Sequence, residues 1–418
     1  MHAEHSNWAG SLTYAARQIH RPASVDEVRE LVRAGTRLRA LGSRHSFSRV
    51  ADTDGDLVRL DGLPKTVTFD HARPAVTVPA GMTYGEVSQQ VHEHGYAVHN
   101  LGSLPHISIA GAVATATHGS GDANRNLAAS VSALQLVTAD GELITVSRES
   151  DPARFPGMVV ALGALGIVVA VTLDLVPSFD IRQDVYEGLD RATLEQNFDE
   201  IFASAYSVSV FTDWSAPSLT GWLKRRVDEP DVRAPVTWMG ATRADTPHHP
   251  VPGMPAANCT EQLGVAGPWF DRLPHFRAGF TPSNGDEVQS EFLVPRAAAV
   301  DALRALDSIR ERIAPVLQIC EIRTVAADDL WLSPAYACDV VGLHFTWVND
   351  TAGVLPVVRS IERQLEPFDA RPHWGKLFTL PAETMPALFP RLADFRSLRR
   401  DMDPDGVFGN AFVDHLVG

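Results

Sequence analysis

The chain has 418 residues, 45% hydrophobic and 21% charged, the balance of a globular protein, which excludes a disordered chain or a coiled coil. Lys and Arg number 36 against 51 Asp and Glu, a net charge of −15; such a surface repels phosphate backbones, so nucleic acid is not an expected partner. Three cysteines (Cys259, Cys320, Cys338) are too few for a disulfide framework and match no zinc spacing.

Met1–Trp8 lacks a basic region followed by an apolar core, so no secretory signal is expected. The most apolar stretch, Met158 to Leu173, is shorter than the roughly 20 residues that span a bilayer. These features predict a cytoplasmic protein with no membrane association.

Ser24-Val25-Asp26-Glu27 reads as a capping box opening a helix with Val25, Val28, Leu31 and Val32 on one face and Gly35 as its stop. Arg37–Leu41 reads as a short strand running into Gly42-Ser43. Val67–Phe69 and Val76–Val78 flank a turn with Asp70 and Pro74, a hairpin signal. Thr83-Tyr84-Gly85-Glu86 is a second capping box, and its helix ends at Gly95. Leu134–Val137 and Leu143–Val146 on either side of Asp140-Gly141 predict another hairpin. Val169, Val171, Leu173 and Leu175 then alternate as a strand.

The texture changes after residue 177. Lys224-Arg225-Arg226 reads as a solvated turn, and 227–258, with Pro230, Pro235, Pro247, Pro250, Pro252 and Pro255, as a long surface loop. Strands are expected over 208–211, 288–294, 316–325 and 341–348. A helix carries Val300, Leu303, Leu306, Ile309 and Ile313; another follows Asp350-Thr351 with Leu355, Val358, Ile361 and Leu365. Pro381 to Phe412 reads as one helix and then a loop. The mixture is α+β.

Two segments carry chemistry in the first half. Leu41-Gly42-Ser43-Arg44-His45-Ser46-Phe47 is a strand followed by a Gly/Ser turn, whose free N–H groups can converge on an anion such as a pyrophosphate. Ser103 to Gly121 is rich in Ser, Gly, Ala and Thr, which lets backbone approach a ligand closely. Neither holds GxGxxG or a P-loop lysine. In the second half, Glu321 and Arg323 leave one face of a strand, as do His344 and Thr346, with Phe345, Trp347 and Cys320 on the other. Two such strands present a polar wall suited to a polyhydroxylated ligand, or else a solvated sheet face with an incidental ion pair. His92, His94, His99 and His248-His249 fall in no metal-binding spacing, so no metal is expected.

The Gly42–Phe47 and Ser103–Gly121 segments resemble the FAD-binding domain of the vanillyl-alcohol oxidase family. Cys259-Thr260-Glu261-Gln262, Cys320-Glu321-Ile322-Arg323-Thr324, His344-Phe345-Thr346-Trp347, His373-Trp374-Gly375-Lys376 and Asn410-Ala411-Phe412 resemble the members of that family that oxidise sugar alcohols.

The resemblance implies a two-domain α+β flavoprotein. Its parts are an FAD-binding domain of the PCMH type over 12–177, a substrate (cap) domain with a large antiparallel sheet covered by helices over 178–372, and a segment 373–418 returning to the flavin. It implies FAD, tethered covalently through His45 to the flavin 8α carbon. The FAD contacts it implies are Arg39, Leu41, Gly42, Ser43, Arg44, His45, Ser46, Ser103, Ser108, Gly111, Thr115, Thr117, His118, Gly119, Ile167, His373 and Lys376. Ser103, Glu321, Arg323, His344, Thr346 and Lys376 would bind substrate, with Arg323, Lys376 and His344 catalytic.

The implied reaction oxidises the terminal (C1) hydroxyl of an alditol such as xylitol or sorbitol to the aldose, with O2 reduced to H2O2; the implied partners are the polyol and O2, with no nucleic acid and no membrane, and the chain is expected to be a monomer. An aldonolactone oxidase or dehydrogenase on the same fold is the alternative; a flavin-binding protein without turnover and a metal hydrolase are the readings from other classes. Arg44 stands where the family commonly has Gly, at a cost of about 1 kcal/mol if φ is positive there. Gly102 keeps a spot beside Ser103 small, which leaves room for O2.

Overall fold

The computed structural model describes residues 5–229, 234–279 and 286–418; Met1–Glu4 and Pro230, read above, lie outside them. The first expected helix is Val25–Ala34, where Ser24 Oγ accepts the Glu27 amide. The Glu27 carboxylate reaches the Ala23 amide, one residue beyond the partner a capping box requires. At Thr83 both halves of the box close, opening the helix Tyr84–Glu93.

Leu38–Leu41 lies in a three-stranded sheet, parallel to a central strand Asp56–Arg59 that also pairs in parallel with Gln18–His20. Both expected hairpins form and join one five-stranded antiparallel sheet, in the order Thr68–Asp70, Ala75–Pro79, Ile167–Asp174, Val131–Val137, Leu143–Ser147. Gly141, at φ 78°, supplies the left-handed residue of the Asp140-Gly141 turn.

The remaining chain builds a ten-stranded sheet. At its centre the strands Ser207–Thr212, Leu317–Val325, Val340–Val348 and Glu287–Pro295 run antiparallel in that order. Glu321 is in register with His344, and His344 with Glu291. Cys320, Ile322, Leu343, Phe345 and Trp347 face a core filled by Leu303, Leu306 and Ile313 and by Val354, Val358 and Ile361 of the helix Thr351–Leu365. Each large side chain so buried is worth about 1.5–3 kcal/mol. That layer fixes which way the alternate residues point: away from the helices, into a cavity.

Three expectations need correction. The segment 227–258 is not all loop, because Thr237–Trp238 and Ala241–Arg243 pair and extend the sheet edge. The helix through Ile313 is two pieces, Ala299–Asp307 and Arg310–Ile313. The C-terminal region is three helices, Met385–Leu388, Leu392–Met402 and Ala411–Val417. Pro390 pushes Phe389 into an extended conformation, which ends the first of these. Asn410, read as part of the loop, caps the last by accepting the Val413 amide at 2.7 Å.

Candidate active site

The two Gly/Ser segments meet. Ser43 Oγ accepts the Ser108 amide at 3.0 Å, and the Ser43 amide donates to Ser108 Oγ at 3.2 Å. Gly42 is required at this junction, since a Cβ there would stand 2.5 Å from Ser108 Oγ. Arg44 does adopt φ 66°. Its strain is offset by anchoring, because the Trp8 amide donates to the Arg44 carbonyl at 2.8 Å and the Arg44 guanidinium to the Ser6 carbonyl at 3.2 Å. The Phe47 amide then donates to the Gly375 carbonyl at 2.7 Å, tying the His45 loop to the turn that carries Lys376.

A cavity of about 600 Å3 opens between this cradle and the large sheet. Leu41, Gly42, Ser43, Arg44, His45, Ser46, Ser103, Ser108, Gly111, Thr115, Thr117, His118, His373 and Lys376 line it, as do Glu321, Arg323, His344 and Thr346. Two expected contacts stand off its wall. Ile167 packs wholly into the core with Val137 and Val169, and Gly119 is pressed against the Leu101 carbonyl, where a Cβ would come to 2.3 Å. Arg39 reaches the wall, but its guanidinium is committed to the carbonyls of Gly163, Phe408, Val50 and Leu162. It is therefore a staple between segments and has little capacity left to contact a ligand.

His45 stacks on Trp8 with ring centroids 5.3 Å apart. Both ring nitrogens are shielded from solvent and neither completes a hydrogen bond of ordinary geometry. Burial, helped by His106, Lys376 and Arg44 and opposed by the Ser43 backbone, drives its pKa down to about 3. A neutral, unpartnered imidazole on the wall of a Gly/Ser cradle fits the residues a flavin dinucleotide needs: nucleophilic nitrogen on one side, close backbone on the other.

Opposite lies the polar wall. Arg323 Nη2 donates to Glu291 Oε1 at 2.8 Å, and Arg323 Nη1 lies 3.4 Å from Glu321 Oε2. His344 Nδ1 faces Glu291 Oε2 at 3.3 Å, while Thr346 Oγ1 is 3.5 Å from His344 Nε2. Burial alone would raise both carboxyl pKa values. Arg323 and His275 at Glu321, and Arg323, His118 and His344 at Glu291, outweigh it and hold both below the usual range. Lys376 Nζ donates to Gln289 Oε1 and sits 5.3 Å from the Phe47 ring centroid. Burial lowers its pKa to about 8, against the pull of Glu291.

The wall contains residues that sequence reading missed. Glu287, Gln289 and Glu291 alternate with Val288, Ser290 and Phe292, a period-2 signal that would have marked them as one polar face. His275 donates toward Glu321 from an irregular segment, which carries no periodic signal. Lys224, read as part of a solvated turn, is buried on the strand Ser218–Arg226 behind His275. His249, in the proline-rich segment, lines the cavity beside Phe276. Ligating atoms of His118, Glu291 and His373 lie within 4.8 Å of one another, and Arg323 already neutralises that carboxylate.

The cradle and the polar wall face one another across one cavity, with room for a dinucleotide on one side and a small polar ligand on the other. Residues 16–147 match the family described as FAD binding domain, and 284–416 the family described as D-arabinono-1,4-lactone oxidase. The chain is 51% identical to alditol oxidase of Streptomyces sp. over 99% of its length and 98% of that protein. It is 31% identical to L-gulono-1,4-lactone dehydrogenase of Mycobacterium tuberculosis over 99% of each. The cholesterol oxidase of B. sterolicum superposes with a TM-score of 0.79, at 17% identity, covering 99% of this chain and 96% of that one, a likeness of fold. The chain belongs to the alditol oxidase family, within the vanillyl-alcohol oxidase class of FAD-dependent oxidoreductases. Among the described residues no helix is long and apolar enough to cross a membrane.

Proposed function

We propose that this protein oxidises the terminal hydroxyl of an alditol such as xylitol or sorbitol to the aldose, with O2 reduced to H2O2 and FAD tethered through His45. The observation that carries this reading is the wall itself: Glu321, Arg323, His344, Thr346 and Lys376 turned into one cavity opposite the cradle. A polyol matches it because each hydroxyl both donates and accepts, so carboxylate, imidazole, guanidinium and ammonium can all be satisfied at once.

The Gly42–Ser46 loop, Ser103, Ser108 and Thr117 would hold FAD, which would supply the hydride acceptor and the route of electrons to O2. The protein's own groups do the rest. Glu321, His344 and Thr346 bind the polyol hydroxyls and fix the chain in one direction. Arg323 and Lys376 point cations at the reacting oxygen, which stabilises negative charge as its proton leaves. A tether at His45 keeps the cofactor in place through many turnovers. The three free cysteines suit a reducing, cytoplasmic setting.

The lactone-oxidising relatives make the rival specific. Steady-state H2O2 release with xylitol, set against release with a γ-lactone, decides between them. Release with xylitol supports the alditol reading, and release with the lactone alone overturns it.

A further inference from the structure

Lys224 has no part in the chemistry just described, yet it is buried behind the wall. It is 2% exposed. Its Nζ donates to the Leu273 carbonyl and lies 3.3 Å from His275 Nδ1, and among the described residues no carboxylate touches it. A buried ammonium without an ion-pair partner is expensive, and burial lowers its pKa to about 7 despite the pull of Glu321.

The hydrogen-bond inventory gives this cation a task. Protonated, Lys224 carries donors and no acceptor, and the Glu321 carboxylate, held ionised beside Arg323, can only accept; both place a lone pair on His275 Nδ1. The ring proton then sits on Nε2, which lies 3.1 Å from Glu321 Oε1. The imidazole cannot turn away, because it stands edge-on to Phe211 and Trp222 at 5.5 and 5.1 Å between centroids. With Oε1 engaged by His275 and Oε2 beside Arg323, Glu321 is held as an ionised acceptor facing the cavity.

We propose that Lys224 and His275 are positioning residues: Lys224 sets the His275 tautomer, and His275 fixes the carboxylate of Glu321 for a hydroxyl of the substrate. This rests on the alditol reading. Losing the relay weakens polyol binding and leaves the chemical step alone.

Anaerobic reduction of the bound flavin by xylitol, followed against xylitol concentration, separates apparent Kd from limiting rate. Lys224→Met and His275→Phe are expected to raise the apparent Kd about tenfold, the scale of a hydrogen bond to a charged group, with the limiting rate little changed. His275→Gln, which restores an N–H donor, brings Kd back toward wild type. In a Glu321→Gln background Lys224→Met adds nothing further, whereas a merely structural role would add its full effect.

An unchanged Kd in both single variants, or full additivity with Glu321→Gln, overturns the proposal. If Lys224→Met does not fold, the His275→Phe and His275→Gln pair carries the same test. If xylitol fails to reduce wild-type flavin, the alditol reading falls instead. In that event the 15N shifts of His275 in the holoenzyme still test the tautomer: a protonated Nδ1 contradicts the relay.

Discussion

The Glu291 carboxylate and the Arg323 guanidinium meet at 2.8 Å inside the cavity wall, with side chains 1% and 7% exposed. The same carboxylate lies 3.2 Å from His118 Nε2 and 3.3 Å from His344 Nδ1. One side chain on the large sheet therefore holds a cavity-lining cation, a cavity-lining imidazole and a histidine of the cradle. Gly342, across the sheet from Arg323, leaves the room for it: a Cβ there would stand 3.1 Å from Glu291 Oε1.

Removing that charge should loosen the wall without emptying the cradle. Glu291→Gln is expected to slow anaerobic flavin reduction by about tenfold or more, the scale of one charged hydrogen bond, with the flavin absorbance per protein unchanged. Gly342→Ala should act in the same direction and more mildly. A normal reduction rate in Glu291→Gln would show that Arg323 and His344 are held by other means.

Lys376 gives a pH signature. Its pKa is lowered from 10.5 to about 8, so the ammonium is present below that pH and lost as pH rises through it. If the charge stabilises the developing alkoxide, the reduction rate falls above pH 8. Lys376→Arg, which keeps its charge, flattens the fall. A wild-type rate that climbs through pH 8 instead would make the neutral amine a base.

His45→Ala addresses the tether. Denatured wild-type protein on an acid-soaked gel should fluoresce as a flavin band, and the variant should not, while still binding FAD before denaturation. A dark wild-type band removes the tether and leaves the cradle.

Gly102 faces Thr117, the His118 carbonyl and Ile107, all 3.6–3.7 Å from where a Cβ would lie, so one methyl fits and a larger group must fill the cavity. Gly102→Val is expected to slow reoxidation by O2 while sparing anaerobic reduction. Equal loss in both half-reactions would mean that the position shapes the site as a whole.

Much of this was legible in the residues. The Thr83 capping box, the Asp140-Gly141 hairpin and the alternation of Glu321 and Arg323 with Cys320 and Ile322 are local patterns, and each local pattern formed the element it predicts. What stayed hidden depends on neighbours distant in sequence. Lys224 reads as one of three surface cations until Leu273 and His275 fold over it. Arg39 reads as a ligand contact until four carbonyls from three segments converge on it. The strand Asp180–Asp190 was hidden by its own charges, one of which, Asp184, pairs with Arg225 of the neighbouring strand.

Cradle and wall line one cavity, the chamber in which, on the proposed function, a polyol meets the flavin. Anaerobic addition of xylitol to the purified yellow protein tests it most directly. The flavin absorbance is expected to bleach and to return on admitting air. Absorbance unchanged by xylitol, in protein that carries its full complement of flavin, would contradict it.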